Sequence, residues 1–227
     1  MTHRTRDERP WRRDDGSALI LALLSGMLLS AFGLALTLGS AAETMIAANA
    51  QRTQQARYAA DAIVERTLSD LAALPRWTVA LAPAIVPECA AVRSSFAGFC
   101  GVSSDLILTL PETNQAIDLG AATDALQAAS DTANQWGANN PVWRLYAFGP
   151  LRGLVPMAGI DSAICVALWI ADDPAETDGD PLADGNGVLM LHAEAYGPSA
   201  TKQAIDATVA RPEAGHPGVR VIARRPQ

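Results

Sequence analysis

The hydrophobic pattern of the chain begins with one long uncharged stretch. Residues 17–42 are 26 positions without a charged side chain. As a helix rising ~1.5 Å per residue they span about 39 Å, which exceeds the ~30 Å core of a bilayer. Nine leucines between Leu19 and Leu38, at about −0.5 kcal/mol each, favour insertion by roughly 4–5 kcal/mol. The pattern therefore predicts a transmembrane helix over residues 17–42.

A helical pattern continues beyond this stretch. Residues 43–74 contain neither glycine nor proline, and good helix formers dominate them. Apolar residues recur at spacings of three and four, which predicts one face packed against another layer. The members of this stripe are Ala56, Ala60, Ile63, Val64, Leu68 and Leu71. We expect one helix from Ser17 to about Ala73; its weak heptads and alanine-rich seam favour packing on a sheet over a coiled coil.

The remainder of the chain alternates in the manner of strands. Short strand patterns are predicted within residues 104–110, 142–151, 162–172, 187–197 and 202–211, with one more near the C-terminus. In residues 187–197, Leu189 and Leu191 share one side while His192 and Glu194 share the other. Residues 124–141 are predicted to be a helix that ends near Gly137 or an ordered loop. The prediction is an α+β fold in which the long N-terminal helix packs on an antiparallel β-sheet.

Charge sets the expected orientation in the membrane. Five arginines precede the apolar stretch, which places the N-terminus in the cytoplasm and residues after Ala42 in the periplasm. The chain is then a single-pass inner-membrane protein. A cleaved secretory signal is the alternative, since "SAA" at 40–42 offers a cleavage pattern. The apolar stretch is longer than the ~7–15 residues of such a signal, which favours retention.

Charge and cysteines limit the function further. The net charge of −7 argues against nucleic-acid binding. Outside the cytoplasm, Cys89 and Cys100 can form a disulfide, worth roughly 3 kcal/mol in the chain-entropy model. Cys165 lies in a buried strand pattern and is expected to be an inert thiol. His3, His192 and His216 are scattered, and no catalytic motif surrounds them, so the chain is not expected to be an enzyme.

One segment, residues 172–187, is strongly acidic. It has six carboxylates and no cation, and Ca²⁺ relieves such repulsion by taking 6–8 oxygen ligands. The spacing is not that of an EF-hand. Two alternatives remain open: a solvated acidic loop, which we favour, or a calcium site. The calcium ligands would come from Asp172, Asp173, Asp178, Asp180 and Asp184.

Small residues repeat along the predicted transmembrane helix. Ala22, Gly26 and Ser30 are spaced by four, a pattern that allows two helices to approach closely. This face is a candidate packing surface, and the alternative is that small residues are simply common in membrane spans.

The N-terminal region resembles that of PilX-type minor pilins of the type IV pilus. A leader with arginines ends at Gly16, and an apolar run follows it. Glu43, Ala47 and Asn49 fit an E-x-x-x-A-x-N pattern. An arginine and an alanine-rich run come next, carried by Arg52, Ala56, Ala59, Ala60, Asp61 and Ala62. The resemblance covers about 50 of the 227 residues.

The resemblance implies a domain layout and a role. Residues 1–16 are a leader that a prepilin peptidase removes between Gly16 and Ser17. Residues 17–42 are the transmembrane helix, residues 43–74 its soluble continuation, and residues 75–227 a pilin-like domain. Leu21 stands where most pilins carry glutamate, which favours a minor, initiating subunit. Partners would be other minor and major pilins, the inner-membrane assembly platform and a tip adhesin, and the assembled fibre reaches the cell surface.

Two other functions compete with this one. A tip pseudopilin of type II secretion also lacks the glutamate, but it carries a larger helical insertion. A periplasmic sensor or envelope protein on a single-pass anchor needs no cleavage at Gly16. The strand-rich C-terminal half argues against the first, and the state of the N-terminus distinguishes the second.

Overall fold

The computed structural model describes residues 15–81, 106–133, 139–154, 162–212 and 218–227. The chain divides into two compact units, one ending at Asn49 and the other comprising Ala50–Gln227. The helices are α1 (Asp15–Ala73), α2 (Thr78–Leu81), α3 (Leu119–Ala133) and α4 (Leu151–Leu154). The strands are β1 (Ile107–Thr109), β2 (Ala116–Asp118), β3 (Arg144–Pro150), β4 (Cys165–Asp172), β5 (Val188–Tyr196), β6 (Lys202–Ala210) and β7 (Arg220–Pro226). The predicted α+β class, with a long N-terminal helix and an antiparallel sheet, is confirmed.

The second half of α1 packs on the main sheet. Its apolar stripe is buried, as the spacing predicts, because alanines allow the helix to lie close to the strands. Thr67 is also buried, and its hydroxyl donates to the Ile63 carbonyl at 2.8 Å, so the polar group costs little. Buried in this part of the helix are Ala56, Ala59, Ala60, Ile63, Val64, Thr67 and Leu71. Leu68 is partly buried beside them.

The main sheet has five strands in the order β3-β4-β5-β6-β7, and every neighbouring pair is antiparallel. Each strand therefore pairs with the next one along the chain. The face toward α1 carries the residues that alternate as apolar in the sequence, among them Leu189, Leu191 and Ile205. The C-terminal strand β7 forms one edge of the sheet and is exposed along its whole length.

A second layer covers the opposite face of the sheet. The hairpin of β1 and β2 and the helix α3 bury Trp143 and Trp169 against it. The sequence pattern predicts only α1 as a layer packed on the sheet, so this second layer was not predicted. Helix α3 begins at Leu119, where the Asp118 side chain accepts the backbone N–H of Ala121 at 2.9 Å as an N-cap.

The turn between β5 and β6 is strained. The N–H of Thr201 donates to the Pro198 carbonyl at 3.3 Å, and the two central residues, Ser199 and Ala200, have φ of 60° and 58°. This is the geometry of a type I′ turn, in which glycine or asparagine is preferred because other L-residues cost about 1–2 kcal/mol in the left-handed region.

Replacing Ala200 by glycine removes the strain and is therefore expected to raise the unfolding free energy by roughly 1 kcal/mol. The greater conformational entropy that glycine loses on folding reduces this gain. Thermal or denaturant unfolding measures the change. The control is Ala129→Gly on the exposed side of α3, which should lower stability by about 1 kcal/mol. Equal losses in both variants would contradict the strained-turn assignment.

Candidate functional site

The first part of α1 exposes its apolar side chains. Leu29 is 73% exposed and Leu36 75%, and the same holds along the whole stretch. Among the described residues, α1 is the one helix long and apolar enough to cross a membrane. Large apolar residues exposed there are Leu19, Ile20, Leu21, Leu23, Leu24, Met27, Leu28, Leu29, Phe32, Leu34, Leu36, Leu38, Met45 and Ile46. We call residues 17–46 the apolar segment.

Three hydroxyl groups within the apolar segment donate hydrogen bonds to its own backbone. The hydroxyl of Ser30 donates to the Gly26 carbonyl at 2.8 Å, and that of Thr37 donates to Leu34 at 2.9 Å. Thr44 donates to the Ser40 carbonyl at 2.9 Å. Such bonds allow hydroxyls to lie in an apolar medium without an outside partner. The segment is thus chemically suited to lipid or to packing among other helices.

The predicted packing face and cleavage site lie on α1. Ala22, Gly26 and Ser30 are exposed, and a Cβ added at Gly26 would meet nothing within 4 Å. Gly16 and Ser17 lie in the first turn of the same helix. Both assignments remain predictions, because cleavage and helix–helix packing each need a second protein.

The predicted calcium ligands differ in how deeply they are buried. Asp172 ends β4 and is fully buried, and Asp173 beside it is 8% exposed. Asp178 and Asp180 are exposed, and each accepts a backbone N–H from within the loop, at 3.1 Å in both cases. Asp184 accepts the N–H of Gly187 at 2.8 Å. These carboxylates lie at different depths and do not converge on one point.

Most of the acidic groups are engaged by the loop itself. Glu176 accepts the backbone N–H groups of Gly185 and Asn186, and the Asn186 side chain donates to Asp173 at 2.7 Å. Across the part of the chain that the structure describes, no three His, Cys, Asp or Glu residues form a group able to hold a metal ion. Both alternatives therefore stay predictions: the described residues form no group able to hold a metal ion, but Asp172 and Asp173 are buried rather than solvated.

The cysteines also divide into two cases. The predicted pair, Cys89 and Cys100, lies outside the described residues, so the disulfide stays a prediction. Cys165 is a buried free thiol, 4.0 Å from the Thr109 carbonyl. Burial raises the pKa of its thiol, and Arg152 opposes that shift only partly. A thiol with a raised pKa is a poor nucleophile, which fits an inert role.

A polar cluster that the sequence pattern did not single out lies on the second face of the sheet. His192 on β5 stands between two carboxylates: its Nδ1 is 2.6 Å from Asp206 and its Nε2 is 3.1 Å from Glu194. Glu194 also accepts the hydroxyl of Tyr196 and lies 2.7 Å from Lys202 Nζ. The side chain of His192 is only 9% exposed. We call these five residues the His192 cluster.

Two tryptophan rings border this cluster. Trp143 meets the His192 ring edge-on at 6.0 Å between centroids, and Trp169 lies 5.7 Å from it at a tilt. The indole of Trp169 donates to the Thr123 hydroxyl at 2.7 Å. These large side chains exclude water from the imidazole and strengthen the ion pairs around it.

The carboxylates determine the charge of the cluster. Burial acts to lower the pKa of His192, but hydrogen bonds to Asp206 and Glu194 outweigh it and raise the pKa to about 9. Burial acts to raise the pKa of Glu194, yet bonds from His192, Lys202 and Tyr196 lower it to about 2. The pKa of Asp206 is lowered as well, mainly by His192 against the effect of burial. The imidazolium is therefore charged at neutral pH.

This arrangement suits stability more than proton transfer. Both ring nitrogens of His192 are occupied by carboxylates, so neither is free to act as a base.

The signal in the sequence was the H-x-E-x-Y alternation of β5. Asp206 lies directly opposite His192 in the register of β5 and β6. An alternation of polar and apolar residues is typical of a strand with one solvated face, so the sequence does not indicate that these polar residues are buried.

No family model, curated protein or solved structure matches this chain.

Proposed function

We propose that this chain is a PilX-like minor pilin, a non-catalytic subunit that acts in priming or at the tip of a type IV pilus. One observation carries the proposal: α1 exposes its apolar residues over 17–46 and buries its alanine stripe over 56–71 beneath an antiparallel sheet. The helix therefore has one segment suited to an apolar medium and a second segment packed against a folded domain. The same helix anchors a subunit in lipid and carries a folded domain.

The physical basis is the cost of leaving the apolar segment in water. Fully burying a leucine-sized side chain is worth about 1.5–3 kcal/mol. With 14 large apolar side chains exposed, the segment gains roughly 20 kcal/mol or more in an apolar medium. The inner membrane supplies that medium before assembly, and neighbouring pilin helices supply it in the fibre. Leu21 offers no carboxylate to a preceding subunit, which fits a subunit at the end of the fibre.

The native host tests this directly. The chain should appear in surface fibres sheared from cells, and it should disappear from that fraction when the prepilin peptidase is deleted. Fibre number should fall when the chain itself is deleted. A chain that stays in the inner membrane, with normal fibres in its absence, would instead be a single-pass anchored sensor or envelope protein.

A matched pair of glycine variants tests the packing face. Gly26→Leu fills the small-residue face, whereas Gly39→Leu lies on roughly the opposite side of the helix. A Cβ at either position meets nothing within 4 Å, so both variants should fold. We expect Gly26→Leu to lower the amount in sheared fibres about tenfold or more, since close helix approach is blocked.

Gly39→Leu should enter fibres at close to the normal level. Membrane levels of both variants serve as the reference for expression. Equal incorporation of the two variants would remove the packing role from Ala22, Gly26 and Ser30.

A further inference from the structure

The C-terminal strand β7 is the exposed edge of the main sheet. Every residue of Arg220–Pro226 is exposed, and the apolar residues Val221 and Ile222 are 37% and 51% exposed. The opposite edge strand, β3, has only buried or half-buried residues. Among the described strands β6 alone pairs with β7, so the outer side of β7 has no strand beside it. An edge of this kind is a template for the addition of a further strand.

The register identifies the backbone groups on the outer side of β7. The N–H of Gln227, directly after the strand, donates to the Ala204 carbonyl of β6 at 3.0 Å. Residues along an antiparallel strand alternate between pairs that exchange hydrogen bonds and pairs that do not. Arg225 therefore also bonds to β6, whereas the N–H and C=O of Arg224 point away from it. Pro226 points outward as well, and it offers a carbonyl but no N–H.

The charge of β7 limits which strand can be added to it. The strand has three arginines and no acidic residue, although the whole chain has a net charge of −7. One of them, Arg224, lies 3.3 Å from Asp61 and 3.2 Å from Glu65, and these ion pairs hold the strand against α1. Pairing with β7 of a second copy would bring arginines together, which is unfavourable. The edge is therefore suited to a strand of opposite charge.

We propose that β7 is a docking edge for an extended, acidic segment of a partner protein, which adds to the five-stranded sheet along the outer side of β7. Hydrogen bonds to the outward N–H and C=O groups supply affinity that does not depend on side chains, and the side chains supply the selectivity. This inference goes beyond the role of a pilin subunit and does not depend on it.

The side chains of β7 define what the added segment presents. Arg220 precedes and Arg225 follows the exposed apolar residues Val221 and Ile222. Carboxylates near both ends of the segment meet the arginines, and apolar residues between them cover the apolar pair. Phosphate headgroups of a membrane would also attract the arginines, but they do not provide the alternating donors and acceptors of a strand. The free backbone groups therefore favour a protein segment over a lipid surface.

Peptide binding to the full chain in detergent tests the docking edge. The probe is a fluorescently labelled synthetic peptide of about eight residues, with glutamates at both ends and valine alternating with threonine between them. Its fluorescence anisotropy should rise on titration with the chain. A peptide of the same charge with two central prolines should bind about tenfold more weakly or worse, because proline cannot pair within a strand. A peptide with lysines in place of the glutamates should also bind more weakly.

Arg220→Glu and Arg152→Glu form a matched pair of variants. Both arginines are exposed, but Arg152 lies on α4 next to the opposite edge strand, β3. Arg220→Glu replaces an attraction by a repulsion and should weaken binding of the acidic peptide about fivefold. Arg152→Glu makes the same change in net charge and should leave the affinity within about twofold of wild type.

Hydrogen exchange on the wild-type chain gives a second, independent readout. Saturating acidic peptide should slow exchange of the Arg224 amide about tenfold or more, because this N–H gains a partner. The amide of Arg225, which already bonds to β6, should change less. Absence of peptide binding, equal binding of the proline or lysine peptide, or an unchanged Arg224 amide at saturation would overturn the proposal. So would binding to phosphatidylglycerol vesicles without binding to the peptide, which would make β7 a lipid contact.

Discussion

Replacing His192 by leucine is expected to destabilise the folded domain by about 3–5 kcal/mol. The change removes the cation between Glu194 and Asp206 but leaves both carboxylates in place. Glu194 has a side chain only 10% exposed, so its charge becomes buried with less compensation. For a domain of this size the loss corresponds to a fall in Tm of roughly 10 °C. Thermal unfolding of the full chain, followed by tryptophan fluorescence, measures it.

Lys202→Ala is the matched control for this prediction. Lys202 also contacts Glu194, at 2.7 Å, but its side chain is 53% exposed. Exposed ion pairs are worth about 0.2–1 kcal/mol, so this variant should lose little stability. If the leucine variant at 192 lost no more than Lys202→Ala, His192 would not be the centre of the cluster.

Alkaline pH is expected to weaken the domain by about 3 kcal/mol as the pH rises from 6.5 to 9. The pKa of His192 is raised from 6.5 to about 9. A raised folded value means that the stabilisation is complete below 6.5 and is lost as the pH passes through 9. Asp172 contributes a loss of the same sign, but most of that loss lies below about pH 7. The fall between pH 7 and pH 9 therefore comes mainly from His192.

Denaturant unfolding at fixed pH values measures this profile. The leucine variant at 192 should show a flat profile between pH 7 and pH 9. A second fall belongs to the acid side, because the pKa of Glu194 is lowered from 4.5 to about 2: its stabilisation is present above 4.5 and is lost as the pH drops toward 2. A wild-type domain equally stable at pH 7 and pH 9 would contradict the charged state assigned to His192.

Local pattern was enough to predict the long helix and most of the sheet. Residues 40–74 contain neither glycine nor proline, and α1 runs without a break from Asp15, two residues before the expected start, to the expected end at Ala73. Strands β3 to β6 follow runs of apolar alternation bounded by turn residues. Period and turn chemistry are local properties, and a single sequence displays them.

Long-range packing was not visible in the same way. Strand β2 has only three residues, too few to show a clear alternation of polar and apolar positions. Helix α3 begins at Leu119, earlier than the sequence pattern indicates. Alternation along β5 predicts a solvated outer face, yet α3 and the β1–β2 hairpin cover the sheet there. Strand β4 is apolar on both sides, and the large side chain of Trp169, on the same side as His192 on β5, indicates that this face is buried.

The acidic loop shows a similar limit. In the sequence the five predicted calcium ligands, Asp172, Asp173, Asp178, Asp180 and Asp184, are equivalent. The structure separates them, because Asp172 is buried whereas Asp178 and Asp180 face solvent and bind their own loop's backbone. Burial depends on where β4 ends relative to its neighbours, and no pattern of charges along the chain contains that information.

Determining the N-terminus of the chain after extraction from membranes tests most directly whether the apolar segment is a permanent part of a pilin-like subunit. We predict that the mature chain begins at Ser17, so that residues 17–46 remain attached to the folded domain. A chain beginning at Glu43 would be a secreted protein without the segment. A chain beginning at Met1 in cells that hold an active prepilin peptidase would be a membrane-anchored protein of another class. Either of these two results would contradict the proposal.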